Sequence, residues 1–454
     1  MRRSEACGRA RVGKSSRGSE MMDSGIETAN GEHLADRACA RRLVDLHGDR
    51  FRYLPQENAW IVMKDGVWRR DRHMARMMLL AEDVADLLRA EAAAESSKDR
   101  QAHLRTAARR ASSTAGQRGM IARASREPGV LLDRSELDPD PWMLCCRNGA
   151  LDLRSGQLRE HRADDFFTRQ VAVAFNPDAH SDEWDSFLAE SQPNAEVRSF
   201  LRRAVGYSLL GITADEAFFL LHGPTATGKS TFLGAVRCAL RDYAAFTPFD
   251  TFLQRARGNQ IRNDVARLAG IRFVAALECN QGDRLDAGNL KAMTGGDVLV
   301  ARFLRQELFE FKPEFKVWMA ANDRPVVPAG DDGIWRRVLE VPFCTQICES
   351  RRSGAIKDRL QDINLVGPAI LKWALDGCLD WQVRGLAPPE AVLAATREYR
   401  SEMARTEGRV DSQPPQDAPH SRNGGALTSE HEDTPRTAGG TRSRSIGLSL
   451  RLDW

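Results

Sequence analysis

The stretch "AFFLLHGPTATGKSTFLGAVRCAL", residues 217–240, leaves a folding chain few choices. Gly223 is followed, after four residues, by Gly228, Lys229 and Ser230; an apolar run precedes them and a helical spacing of apolar positions follows. A glycine-rich loop between a buried strand and a helix closes its backbone N–H groups around an anion at the helix N-terminus. In this P-loop pattern Gly223, Pro224, Thr225, Ala226, Thr227, Gly228, Lys229, Ser230 and Thr231 surround a nucleoside triphosphate. Lys229 reaches the β and γ phosphates and the Ser230 hydroxyl ligates Mg2+, with Thr231 the less suited neighbour. A plain glycine turn is the competing reading, and it does not call for the flanking strand and helix.

Two later apolar runs predict partners for that strand. "IRFVAALECN", residues 271–280, is apolar without alternation and ends in Glu278, as a strand buried on both faces of a parallel sheet would be. The Glu278 carboxylate then emerges at the sheet edge, where an acid holds Mg2+ or polarises an attacking water. Many such sites have two acids, so one acid leaves open which of the two tasks it serves; a solvent-facing strand end is the alternative. "EFKVWMAAND", residues 314–323, ends in Asn322, an amide suited either to orienting water near a γ-phosphate or to capping a turn.

Between these runs lies "NLKAMTGGDVLVARFLRQELFEFKP". It predicts a helix carrying Lys291, a Thr-Gly-Gly-Asp turn, and a β-hairpin with Leu304, Arg305 and Gln306 near its tip. A basic ribbon beside such a core suits a nucleic-acid backbone, and a solvated turn is the alternative. "GIWRRVLEVPF", residues 333–343, sets Arg336 and Arg337 between a Trp and a strand-like run. Two cations there are either surface anchors or groups that meet an anion.

The rest of the chain bounds the reading. At 454 residues, 42% hydrophobic and 28% charged, it has the length and composition of a soluble protein of two or three domains. No run of about 18 apolar residues and no signal-peptide h-region is present, so neither a membrane span nor secretion is expected and the cytoplasm is the default. The net charge of +3 carries no overall basic field; any basic patch has to be local. Nine cysteines without a repeating spacing describe no disulfide framework. Cys145–Cys146 and Cys344 with Cys348 lack partners at zinc-ligand spacing and read as inert thiols. Asp138 and Asp140 in "LDPDPW" are separated by prolines that favour a turn, so no nucleotidyl-transfer centre is expected.

Upstream, the first 30 or so residues are Arg, Ser and Gly rich and read as disordered. A helix in "LADRACARRLVDLHGD", short strands with a turn at Asp65–Gly66, and a mostly helical stretch follow. "PWMLCCRNGALDLRSGQLREH" reads as strands with turns at Asn148–Gly149 and Ser155–Gly156, before helical periodicity resumes in "EWDSFLAESQPNAEVRSFLRRAVGYSLLG". After about Thr406 the sequence is polar and Pro/Gly/Ser rich, and no core is expected there.

The order P-loop, single-acid strand, Lys helix, Thr-Gly-Gly-Asp, basic hairpin, Asn-ended strand and "WRR" resembles that of superfamily 3 DNA helicases. More closely, the chain is similar to the phage and plasmid primase-helicase family that includes the poxvirus primase-helicase. The carrying motifs are "GPTATGKST", "VAALE", "LKAMTGGDVLVARFL", "FKVWMAANDRPVV" and "DDGIWRRVLEVPF". "WIVMKDGVWRRD" and "RNGALDLRSGQLREHRADDFFTRQVAVAFNPDA" resemble the domain that precedes the core in that family, and "AILKWALDGCLDWQVRGLAPPEAVLAATREYRSE" its closing helices. The resemblance thus runs from roughly residue 38 to 405.

It implies an α/β fold: an AAA+-like P-loop ATPase core of superfamily 3 type at 206–345, after a small α+β domain at 38–205 and before a helical segment at 346–405, with disordered termini at 1–37 and 406–454. It also implies an enzyme using ATP and Mg2+, assembled as a ring, usually a hexamer, that translocates on single-stranded or forked DNA and unwinds it in the cytoplasm of a bacterial host. Lys229 and Ser230 fall on the Walker A motif, Glu278 on the Walker B acid and Asn322 on the sensor asparagine. Lys291, Arg302 and Arg305 fall on the DNA-facing helix and hairpin. Arg336 and Arg337 fall where the family has an arginine finger acting on a neighbouring subunit's ATP, the second fitting the pattern better. The chain opens directly on the pre-helicase domain, so priming is expected of a separate primase. The break into low complexity after "EYRSEMARTEG" reads as a shortened or frame-shifted product, in which unwinding is impaired while ATP binding survives. A replication-initiation ATPase or DNA-binding scaffold without processive unwinding is the rival reading. A small-molecule kinase would leave the hairpin and "WRR" without a purpose.

Overall fold

The computed structural model describes residues 31–254, 263–305, 307–352 and 354–411. The disorder expected over residues 1–30 and the low-complexity sequence beyond residue 411 lie outside them. The chain divides into two units, residues 1–408 and 409–454, and every described strand and every candidate site residue belongs to the first.

The N-terminal region opens with helix α1 (Gly31–His47), which starts ahead of the boundary expected at residue 38. Strands β1 (Phe51–Leu54), β2 (Ala59–Lys64) and β3 (Val67–Arg70) form an antiparallel meander, and helices α2 (Ala75–Ala94), α3 (Lys98–Ala111) and α4 (Thr114–Ala124) follow. Apolar positions at helical spacing on α2, among them Met77, Leu80, Val84 and Leu88, pack with Leu43, Phe51, Trp60, Met120 and Ile121 into a core of their own.

A second antiparallel sheet has strands β4 (Met143–Cys146), β5 (Gly149–Asp152) and β6 (Gln157–Arg159). Cys146 pairs with Gly149, so the tight turn is Arg147–Asn148, one position before the one expected. The reason is Asn148, whose side chain donates to the Phe175 carbonyl and accepts from its N–H (2.9 and 2.8 Å). Gly149 instead lies within the ladder, where a Cβ would come 2.3 Å from the Arg159 carbonyl oxygen. Burial pushes the Cys145 thiol up to about 12, a value at which it is a protonated, unreactive group. Asp138 is bound by the Thr168 backbone and by Arg169, and Asp140 by Arg154. Those two carboxylates are structural.

Helices α5 (Asp182–Ser191) and α6 (Ala195–Tyr207) lead into the central sheet. Its strands are β7 (Phe218–His222), β8 (Ala244–Phe246), β9 (Phe273–Leu277), β12 (Lys316–Ala321) and β13 (Val338–Pro342), all parallel, in spatial order β13-β7-β12-β9-β8. Along the way come α7 (Lys229–Leu240), α8 (Asn263–Ala266), α9 (Ala287–Gly295), the separate hairpin β10 (Leu299–Ala301) with β11 (Phe309–Phe311), and α10 (Asp332–Trp335). Helices α11 (Gly354–Leu360), α12 (Gly367–Arg384) and α13 (Glu390–Asp411) come last. Helix α13 runs past the expected boundary at residue 406: Glu and Arg are good helix formers, and Tyr399 and Met403 anchor it.

The unbroken apolar runs form the inner strands because both faces are covered. Alternate residues go to opposite sides, as the period of a strand requires. Phe219, Trp318 and Phe273 stack on one face against Phe232 of α7 and Phe200 of α6, with Trp318 centred 4.2 Å from Phe219 and 5.4 Å from Phe273. Phe218, Leu220, Val317 and Met319 face the other way, with Leu290 and Met293 of α9 and Tyr399 of α13 in the same cluster. Helices α6 and α12 cross at Gly206 and Gly377, where a Cβ on Gly206 would come 2.1 Å from the Cys378 backbone nitrogen. The closing helices are thus part of the core.

Candidate functional site

In a parallel sheet covered by helices, loops leaving the carboxyl ends of the inner strands form the open crevice. Strand β7 ends at His222 and delivers the chain into the loop 223–228, and Gly228 caps α7. The loop is closed on itself. A Cβ on Gly223 would come 2.0 Å from the Phe343 carbonyl oxygen, which only glycine tolerates. Ala226 has a left-handed φ of 60°, and its carbonyl accepts from the Ile347 N–H at 2.9 Å, so the segment after β13 straps the loop.

Lys229, the first residue of α7, is 6% exposed. Its ammonium donates to the Gly223 and Pro224 carbonyls, both at 2.7 Å, and to the Thr227 hydroxyl at 3.3 Å. Burial holds its pKa below the usual lysine value. An ammonium held by loop carbonyls beside a ring of backbone N–H groups gains by moving to phosphate oxygens. Ser230 is exposed and has no hydrogen-bond partner for its side chain among the described residues.

The register brings the other two predicted groups to the same edge. Ala321 of β12 pairs with His222 and Ala320 with Leu277, so Gly223, Asn322 and Glu278 leave three adjacent strands side by side. Neighbouring strands lie about 5 Å apart, which puts the outer two starting points within about 10 Å. Both Asn322 and Glu278 are exposed. Glu278 has a left-handed φ of 68°, and its N–H still donates to the Ala320 carbonyl at 3.2 Å. A non-glycine residue in that region is strained, and such strain collects at working sites. Burial, with the Asp283 and Asp323 carboxylates nearby, pushes the neighbouring Cys279 thiol up to about 12. Beside the loop a cavity of about 250 Å³ opens between α5 and α11, lined by Phe187, Gly228, Thr231, Ile347 and Leu360.

Arg336 and Arg337 lie at the other end. Val338 pairs with Phe218, and the Phe218 N–H donates to the Arg337 carbonyl, so both arginines sit at the amino edge of β13. Five strand residues, about 16 Å, separate them from the P-loop edge. The two differ: Arg337 is half-buried, donates to the Gly333 carbonyl at 2.8 Å and pairs with Glu216, whereas Arg336 is exposed with no side-chain partner among the described residues. The sequence pattern favours Arg337, but the structure leaves Arg336 as the available cation.

Of the residues expected to face DNA, Lys291 is bound to Asp331 at 2.8 Å, and this contact keeps the Asp331 carboxyl below the usual range. Arg302 is half-buried in the loop after β10. Arg305 is exposed at the hairpin tip with a φ of 63° and no side-chain partner among the described residues. Lys291 is thus engaged beside α10, whereas Arg305 has no described side-chain partner.

One network is absent from the sequence-based expectations. Glu340, 1% exposed in mid-strand, meets His222 Nδ1 at 2.8 Å and Arg324 Nη2 at 2.9 Å, and Arg324 also reaches Glu402 of α13 at 2.6 Å. His222 directly precedes the P-loop and Arg324 lies two residues beyond Asn322, so a buried carboxylate links both loops to the last helix. The readable signal is a lone acid inside the apolar run "VLEVPF".

Comparison with known proteins places the chain among relatives. Residues 40–193 match the family described as D5 N terminal like, and residues 221–337 match a family of unknown function, DUF5906. "Putative helicase L207/L206" of Acanthamoeba polyphaga mimivirus is 27% identical over 285 residues, covering 58% of this chain and 30% of that protein. "Primase D5" of Fowlpox virus is 24% identical over 238 residues, covering 49% of this chain and 30% of that protein. The chain therefore spans less than a third of the length of these viral relatives. Among solved structures, the C-terminal region of NrS-1 aligns over 82% of this chain and 75% of that chain, at 8% identity and a TM-score of 0.49. No helix among the described residues is long and apolar enough to cross a membrane. With the D5 N terminal like match over residues 40–193 and viral putative helicases and a D5 primase among its relatives, the chain is similar to D5-type primase-helicases.

Proposed function

We propose that the chain is an ATP hydrolase of superfamily 3 type that moves along and unwinds DNA during replication of a phage, prophage or plasmid, working as a ring whose nucleotide sites are shared between subunits. The observation that carries this reading is the division of groups between the two sheet edges. Lys229, Ser230, Glu278 and Asn322 converge at one edge, while the exposed Arg336 lies at the other. A cation about 16 Å from its own P-loop serves a triphosphate only on another copy, as in a closed ring of head-to-tail subunits, with six the expected number.

In this reading the P-loop N–H groups and Lys229 bind the β and γ phosphates, Lys229 exchanging two carbonyl contacts for phosphate oxygens. Asn322 orients the attacking water and Glu278 accepts its proton. Exposed oxygen donors at Ser230 and Glu278, both without ion-pair or hydrogen-bond partners for their side chains among the described residues, suit a hard cation such as Mg2+. When bound, Mg2+ supplies charge neutralisation on the phosphates. Arg336 of an adjacent copy neutralises the transferring phosphoryl group, and the Arg337–Glu216 pair fixes the mount from which it projects. Arg302 and Arg305 meet the DNA backbone from the hairpin.

The test is the ATP hydrolysis rate with and without single-stranded DNA. Stimulation by the strand supports the reading, and a rate indifferent to DNA at any concentration contradicts it.

A further inference from the structure

The chain carries a net charge of only +3, yet the segment from Lys98 to Arg126 contains eight Lys and Arg residues against a single acid, Asp99. Its placement sharpens that imbalance. Helix α3 buries Ala108 and Ala111 and packs Leu104 and Ala107 against the N-terminal core. Lys98, Arg105 and Arg109 are all exposed. Spacings of seven and four residues put these three within about 20° of one line along the helix, a row about 16 Å long.

Among the described residues, nothing nearby neutralises the row. Helix α2, packed against α3, and the residue that follows it carry five acids, and each already has another basic side chain beside it: Glu82 and Asp86 have Arg89, Asp83 has the His47 imidazole, Glu91 has Arg42, and Glu95 has Arg100. Arg109 donates to the Thr106 hydroxyl at 3.3 Å, and Lys98 and Arg105 have no side-chain partner among the described residues. Asp99 sits about 100° round the helix from Lys98. Arg118 of α4 and Arg126 after it are also exposed and without ion-pair partners among the described residues.

We infer that the α3 row is a second nucleic-acid contact, separate from the hairpin, that binds the phosphate backbone. Charge complementarity selects a polyanion, since unpaired guanidinium groups bind phosphate oxygens through parallel N–H donors. The positions between the basic residues, Ala102 and Thr106, are small, and no aromatic side chain lies in the row to stack a base. The contact is therefore with the backbone and independent of sequence. It does not rest on the nucleotide site, because binding is measured without ATP.

The experiment measures the affinity of the full chain for a fluorescent oligo(dT) strand by anisotropy across a salt series. Replacing Lys98, Arg105 and Arg109 together by Ala removes three phosphate contacts, so the slope of log affinity against log salt falls by about 2, at roughly 0.7 per contact on a single strand. Arg105→Lys with Arg109→Lys keeps the slope, and the single Arg105→Glu variant lowers both slope and affinity. The circular dichroism spectrum and melting temperature report that each variant is folded. An unchanged slope in the triple-Ala variant overturns the inference. A change in assembly size with the slope unchanged overturns it too, because the row would then be an interface between copies of this chain.

Discussion

The two edges of the central sheet treat their charged groups in opposite ways. At the carboxyl edge the groups are poised for exchange: the Ser230 and Glu278 side chains lack a described partner, and Lys229 is held only by loop carbonyls and the Thr227 hydroxyl, which phosphate oxygens can replace. At the amino edge they are tied down. Lys316 is 1% exposed and its ammonium lies among the carbonyls of Leu210, Ile212 and Glu314, Arg272 donates to the Met143 and Leu209 carbonyls, and Arg337 is held by Glu216. These buried and half-buried cations, held by carbonyls or a carboxylate, join the small antiparallel sheet and the loop before β7 to the core, and removing their partners would leave costly unpaired charge. Arg336 differs from these three. Its guanidinium is exposed and without a described side-chain partner, and it is the group that the proposed ring sets against a neighbouring copy's ATP.

The largest effect should come from the carboxyl edge. Lys229→Ala is expected to abolish nucleotide binding, measured by calorimetry or a fluorescent nucleotide, with hydrolysis falling to background. At the amino edge, Arg336→Ala should keep nucleotide binding and lose about 10³-fold in hydrolysis rate, the scale of a lost arginine finger. Arg337→Ala should lose less hydrolysis than Arg336→Ala and also lower the melting temperature, because its Glu216 and Gly333 contacts go with it. The reverse order would return the finger to Arg337. Glu340→Ala should cost about 3–5 kcal/mol in denaturant unfolding, since it leaves Arg324 partly buried without its main counter-charge. The smallest effect is at the hairpin, where Arg305→Ala should reduce the salt slope of single-strand binding by about 0.7. An unchanged slope would remove Arg305 from the DNA contacts.

Much of the fold is legible in the sequence because each signal is local. Gly223 and Gly228 announce a close-packed loop, and unbroken apolar runs in "FVAAL" and "KVWMAA" announce strands covered on both faces. Order along the chain then sets the polar ends Glu278 and Asn322 beside the P-loop. What the sequence hides depends on partners far along the chain. That Lys291 is spent on Asp331, that Arg337 is spent on Glu216, and that Glu340 ties His222 to Arg324 are facts of packing across 40, 121 and 118 residues. The α3 row is hidden for the opposite reason. A basic helix is ordinary until the structure shows that every acid on the helix beside it is already paired.

The central claim is that the two edges complete one site only when two copies meet. Its most direct measurement is the ATPase rate of an equal mixture of Lys229→Ala and Arg336→Ala chains, each inactive alone and each checked for assembly by light scattering. The account predicts recovered hydrolysis, since an intact P-loop on one chain then meets an intact Arg336 on the other. No recovery, from variants that assemble together as the unmodified chain does, would contradict it.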